Sequence, residues 1–195
     1  MPSLRIALAL FLSLGAGTQA LPTPDVHYVP TPTAVVDAML ELANVTATDV
    51  VYDLGSGDGR IVIAAARKFG ARGVGIELDR QLVDQANRNA RQAGVADKVT
   101  FLPADLFKTD LSQATVVTLY LLRSINLRLQ PKLMRELKPG TRVVSHRFDM
   151  GDWKPEQEVT VRGAHVYLWR IPNAQEDDLQ KTRAEVQTVE GVEPR

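Results

Sequence analysis

The chain has 195 residues, 45% of them hydrophobic and 24% charged, and its 23 basic residues are balanced by 23 acidic ones. That length suits one domain able to bury its own core, and a formal charge of zero gives no general attraction to phosphate backbones or anionic lipid, so no nucleic-acid partner is expected. The absence of cysteine excludes disulfide frameworks, thiolate zinc sites, iron–sulfur clusters and cysteine nucleophiles, and the scattered His27, His146 and His165 lack metal-ligand spacing, so no metal is expected.

Residues 1–20 read as a signal peptide or an N-terminal hydrophobic anchor. Arg5 precedes the apolar run Ile6 to Leu14, and small and polar residues from Gly15 to Ala20 follow, with Ala20 the expected last residue before cleavage. The run is shorter than the roughly 20 apolar residues a membrane-spanning helix needs. The expectation is an exported, periplasmic protein, or one anchored by this segment if it is not cleaved, with a cytoplasmic location if the signal does not function. Any membrane association is expected only through residues 1–20.

Residues 21–48 form a proline-rich lead-in and a first helix. Thr31 followed by Pro32 predicts an N-cap with proline at the first helical position, opening a helix that buries Val35, Val36, Met39, Leu40 and Ala43. Residues 49–172 then alternate strand and helix patterns. Strands are predicted at 49–54, 73–78, 99–102, 115–122 and 142–146, and helices at 60–69, after an Asp79 cap up to Gly94, and at 131–137. Such alternation predicts βαβ units, with a parallel sheet covered by helices on both faces. Two alternating segments, 158–162 and 165–171, joined through Gly163 and Ala164, predict an antiparallel hairpin at one sheet edge. Residues 173–195 are polar and read as a flexible tail.

The most informative segment is VVYDLGSGDGRIVIAAA, where a strand ends in Asp53 and Gly55, Gly57 and Gly59 precede a helix. Glycines there permit a tight turn and close approach of a ligand to the backbone, and the helix start offers unpaired N–H groups to a carboxylate. A dinucleotide fingerprint would need glycine at position 60, where Arg60 stands, so the loop points away from NAD. Glu77 ends the next strand, where a carboxylate can accept hydrogen bonds from both hydroxyls of a ribose. Asp105 follows the third strand, so three successive strands each bring an acid to one sheet edge.

With DLGSGDGR, GIELD and PADLF in this order, residues 29–171 resemble the class I S-adenosylmethionine-dependent methyltransferases. The resemblance implies a Rossmann-like fold, a mostly parallel seven-stranded sheet with the antiparallel hairpin at its edge, and S-adenosyl-L-methionine as cofactor. It further implies that Asp53, Gly55, Ser56, Gly57 and Gly59 take the methionine part, Glu77 the ribose and Asp105 the adenine amine, with Leu78 and Leu106 flanking the adenine ring. YVPTP before the first helix, together with Arg147, Phe148 and Trp153 in an RFxxxxW pattern, is similar to the ATP synthase c-subunit lysine methyltransferase lineage and its bacterial relatives. That implies a protein lysine as methyl acceptor. A small-molecule methyltransferase, or an exported ligand-binding protein that kept the fold without catalysis, are the alternatives.

Methyl transfer from a sulfonium is an in-line displacement, which gains most from orientation and from an uncharged amine. Tyr120, at the end of the fourth strand, can orient such an amine or serve as a core tyrosine. His146, at the end of the fifth, can accept a proton or be structural. Trp153 can close the acceptor pocket or plug the core beside the hairpin, and Tyr28 and Thr31 can cover the cofactor or merely pack the first helix.

Overall fold

A computed structural model of the chain describes residues 28–173. The readings of residues 1–20 as a signal or anchor, and of the segment beyond Asn173 as a tail, lie outside the described residues. In chain order the elements are α1 (Thr33–Leu42), β1 (Val50–Leu54), α2 (Arg60–Phe69), β2 (Arg72–Glu77), α3 (Arg80–Gln92), β3 (Val99–Pro103), β4 (Val116–Leu119), α4 (Arg123–Glu136), β5 (Arg142–His146), β6 (Gln157–Val161) and β7 (Ala164–Arg170). The strands form one sheet in the order β3-β2-β1-β4-β5-β7-β6. Strands β1 to β5 pair in parallel, and β7 joins β5 and β6 antiparallel, as the hairpin pattern predicted.

Side-chain alternation along buried strands divides the core into two layers. Val116 and Val144 face the layer built with Val35, Met39, Ile61, Val62, Val83 and Ala86 of α1, α2 and α3. Their neighbours Val117 and Val143 face the opposite layer, where Ile125, Leu129 and Leu133 of α4 meet Leu54, Ile76 and Trp169. The order reverses between β1 and β4, because the chain first winds outward through β2 and β3 and then returns to begin the other half of the sheet at β4. A crevice at the carboxyl ends of the strands is expected at such a switch point.

Several element boundaries differ from the pattern in the sequence. Thr31 is not a cap: α1 starts at Thr33, Pro32 takes the N-cap position without a side-chain cap, and the Pro32 carbonyl accepts from the Val35 and Val36 N–H groups. The fourth strand stops at Leu119, so Tyr120 and Leu121 leave the sheet and face the crevice rather than extend it. The fourth helix begins at Arg123, not Pro131, and the proline lies inside it. The buried stripe Ile125, Leu129 and Leu133 overrides the local cost of Pro131, whose missing N–H would have reached the carbonyl of solvent-exposed Leu127, which water can satisfy. The hairpin turns at Arg162 and Gly163, with φ of 51° and 78°, the left-handed pair that a two-residue turn requires. Asp79 caps α3 as expected, accepting from the Gln81 N–H at 2.7 Å.

Candidate functional site

Between β1 and α2 the chain reverses within the segment Gly55 to Gly59. Gly57 has φ of 52°, and a Cβ on it would come within 2.2 Å of the Tyr28 ring, so the ring packs against bare backbone. Gly59, at φ of 80°, forms the N-cap of α2, and a Cβ there would meet Phe101 at 2.5 Å and Ala86 at 2.9 Å. The first of these glycines serves a contact across the crevice, the second the packing of α2 onto the sheet. Gly55 and Ser56 anchor the turn by donating from their N–H groups to the Ile76 carbonyl at 2.8 and 3.0 Å.

Asp53 sits at the floor of the crevice, 3% exposed, and its Oδ1 accepts from Thr118 Oγ1 at 2.8 Å. Burial pushes its carboxyl up to about 7; the Thr118 hydrogen bond opposes this, while the neighbouring charges of Glu77 and Asp58 add to it. Glu77 is already engaged: Oε2 accepts from the Gly57 N–H at 2.9 Å and Oε1 from the Asp79 N–H at 3.0 Å. One carboxylate therefore ties the glycine loop to the start of α3 and still has acceptor capacity facing the crevice. Asp105 accepts from the Phe107 N–H at 2.9 Å, and Phe107 stacks under the Arg128 guanidinium at 4.4 Å.

The lead-in segment closes one side. Arg60 donates from Nε and Nη2 to the two Asp58 carboxylate oxygens, at 3.0 and 2.7 Å, and from Nη1 to the Thr31 carbonyl at 2.9 Å. Burial alone would raise the Asp58 carboxyl, but this clasp holds it below the usual carboxylate range. Tyr28, Val29, Pro30 and Thr31 are thereby drawn over the crevice as a strap. Burial foremost, then the Asp58 charge, raises the Tyr28 hydroxyl above its ordinary range.

The resulting cavity has a volume of about 540 Å³, within the range of about 300–1,000 Å³ typical of small-molecule sites. Of the residues singled out in the sequence, Tyr28, Thr31, Asp53, Gly55, Ser56, Glu77, Leu78, Asp105, Leu106 and Tyr120 line it. Gly57, Gly59 and His146 do not line it; Gly57 lies under the Tyr28 ring and donates to Glu77, two residues that do. Thr118, Arg60, Leu121, Ile125 and Arg128 were not expected at the site. The one local hint was a threonine inside the apolar run VVTLY.

His146 is 2% exposed and lies 4.0 Å, ring centroid to centroid, from Tyr120. Burial first, then the nearby Arg147 charge, lowers its pKa to about 4, so the imidazole is neutral at ordinary pH. Trp153 packs on Trp169 at 5.8 Å, and its carbonyl accepts from the Trp169 indole N–H at 2.7 Å, so it plugs the core beside the hairpin rather than closing the cavity.

The residues present fit S-adenosyl-L-methionine. Buried Ser56 Oγ has no partner among the described residues, Asp53 has a single side-chain donor, and Leu78, Ala104, Leu106 and Phe107 supply apolar walls beside Asp105. A mostly parallel sheet with its cavity at the switch point and acids on the ends of β1, β2 and β3 defines a class I S-adenosylmethionine-dependent methyltransferase. Proteins similar to this chain belong to the same class. A protein described as an RNA methyltransferase from Salinibacter ruber, solved with S-adenosyl-L-homocysteine, is 63% identical with a TM-score of 0.74, covering 74% of this chain and 95% of that one. Residues 53–157 match the ANTKMT methyltransferase domain, and the chain belongs to that family. Among its relatives, the protein-lysine N-methyltransferase of Saccharolobus islandicus is 46% identical over 153 residues, which make up 76% of this chain and 95% of that protein. The human ATP synthase c-subunit lysine N-methyltransferase is 37% identical over 139 residues, 71% of this chain, which spans 59% of the human protein's length.

Proposed function

We propose that this methyltransferase acts on the side-chain amine of a protein lysine. The observation that carries the reading is the 46% identity to a protein-lysine N-methyltransferase that this chain spans almost end to end. Of the acids lining the cavity, Asp58 is neutralised by Arg60 and Asp79 caps α3, which leaves Asp53, Glu77 and Asp105 to face the positively charged cofactor.

In this reading Asp53, oriented by Thr118, takes the ammonium of the cofactor's methionine part beside Gly55, Ser56 and the Gly57 turn. Glu77 accepts from the ribose hydroxyls, Asp105 from the adenine amine, and Leu78 and Leu106 flank the ring. The strap from Tyr28 to Thr31 excludes water from one side. When bound, the cofactor supplies an electrophilic methyl group on a sulfonium. Tyr120, which lines the cavity just past the end of β4, orients the acceptor amine. A lysine of ordinary pKa about 10.4 must arrive unprotonated, so its proton is lost to solvent or on desolvation before attack. Neutral His146, outside the cavity, supports Tyr120 rather than accepting that proton.

The test is transfer of labelled methyl from S-adenosyl-L-methionine to a panel of lysine-rich proteins and to total RNA, with acid hydrolysis of the product. Label recovered as methyl-lysine is expected. Label recovered only in nucleotides would refute the lysine reading and favour the activity named for the Salinibacter relative.

A further inference from the structure

β5 ends at His146, and the next residues turn sharply across the end of the sheet. Arg147 adopts a φ of 70°, its N–H donates to the His165 carbonyl at 2.8 Å, and the Phe148 N–H returns to the His146 carbonyl at 2.9 Å. Two fully buried polar side chains from different elements fix the loop at Phe148. Ser145 Oγ, on β5, donates to the Phe148 carbonyl at 2.6 Å. Asn126 Nδ2, on α4, donates to the same carbonyl at 3.1 Å and to Ser145 Oγ at 3.2 Å. Both residues are 0% exposed.

Burying two polar side chains is costly unless their hydrogen bonds are made, and apolar residues would fill the same space without that cost. Here Ser145 Oγ and Asn126 Nδ2 converge on the Phe148 carbonyl, Asn126 Nδ2 also reaches the Asp149 carbonyl at 3.5 Å, and Asn126 Oδ1 is left buried without a partner among the described residues, so the fold keeps a costly amide here that fixes the loop at Phe148. The Phe148 ring lies nearly parallel to Tyr120, 6.4 Å away at 22°, and the His146 ring is closer still at 4.0 Å. Tyr120 lines the cavity; Phe148 and His146 do not. We infer that the Ser145–Asn126 clamp, acting through Phe148 and His146, sets the Tyr120 ring at the acceptor end of the cavity, making these four positioning residues for methyl transfer. The inference rests on the assignment of Tyr120 to the acceptor amine. In-line displacement is sensitive to such placement, since an error of about 1 Å can cost on the order of 100-fold in rate.

The test compares Ser145→Ala with Ser145→Thr and Phe148→Leu with Phe148→Tyr in the full chain, measuring cofactor affinity by calorimetry and acceptor kinetics at saturating cofactor. Ser145→Ala and Phe148→Leu are expected to lower kcat/KM for the acceptor about 10-fold or more, with cofactor Kd within about twofold of wild type. Threonine at 145 and tyrosine at 148, which keep the hydroxyl and the ring, should recover most of that loss. Folded Ser145→Ala and Phe148→Leu proteins with wild-type acceptor kinetics overturn the inference. So does a loss that merely tracks the unfolded fraction in a thermal melt. If the wild-type enzyme methylates RNA instead of lysine, the acceptor class is wrong and the same ratios measured on RNA judge the clamp. Transfer to neither acceptor, with cofactor bound, overturns both.

Discussion

Acidifying the solution from pH 8 to pH 6 should release the cofactor, and Asp53 is the reason. Its carboxyl is pushed up to about 7 by burial, with Thr118 as its single side-chain donor. A cofactor ammonium beside it favours the ionised form, so binding to the protonated protein must expel a proton. With a ligand-free pKa of about 7 and a much lower one in the complex, apparent Kd should rise about 10-fold from pH 8 to pH 6. At pH 7 roughly half a proton should leave per cofactor bound, visible in calorimetry as an enthalpy that depends on the buffer's ionisation heat. Asp53→Asn should bind weakly at every pH and show no such dependence. A wild-type Kd that is flat from pH 6 to pH 8, with buffer-independent heats, would refute the assignment.

Thermal stability is a poorer reporter of the same group. A raised Asp53 pKa stabilises the ligand-free fold fully below about 4, and that contribution, on the order of 4 kcal/mol, is lost as pH rises through about 7. His146, lowered to about 4, contributes in the opposite sense, present above about 6.5 and lost as pH falls toward 4. The two oppose each other across the same window, whereas the binding measurement isolates Asp53.

Three further outcomes are expected. Gly57→Ala forces a Cβ into the Tyr28 ring at a φ of 52°, and should weaken cofactor binding at least about 10-fold while costing about 1–2 kcal/mol of stability; unchanged calorimetric affinity would show that the strap does not cover the cofactor. Arg60→Met removes the clasp on Asp58 and Thr31, and should speed proteolysis near Thr31 and raise cofactor Kd several-fold, with the melting temperature little changed. Arg142→Met leaves buried Asp49 without its ion-pair partner and frees the carbonyls of Ala43 and Asn44 just after α1, which should cost about 3–5 kcal/mol in denaturant titration while activity per folded molecule stays at the wild-type level.

The readable parts of this protein were those whose cause is local. Alternating strand and helix periods, a glycine-rich turn after an acid, and an acid after each of the next two strands all sit within a few residues of the structure they specify. Position in a parallel sheet then gathers Asp53, Glu77 and Asp105 at one edge without further information. What escaped depends on pairs distant in the chain. Thr118 meets Asp53 across 65 residues, and Arg60 reaches Thr31 across 29. Asn126 and Phe148 are joined only because α4 packs beside the end of β5. The start of α4 was obscured for a related reason, since Pro131 is a strong local stop signal and the buried face that overrules it appears only on packing. In the sequence Arg60 only excludes a dinucleotide loop, because its three-way hydrogen bonding needs the strap in place.

Glu77 holds the Gly57 and Asp79 N–H groups with its two carboxylate oxygens, so the acid proposed to meet the cofactor's ribose is fixed in place by the fold itself. The groups proposed to hold the cofactor address its ammonium, ribose and adenine, all of which survive the reaction unchanged. Spent cofactor should therefore bind about as well as fresh cofactor and compete with it at comparable concentrations. Sustained turnover would then depend on removal of the demethylated product, and the ratio of the two cofactor forms would help to set the pace of the enzyme.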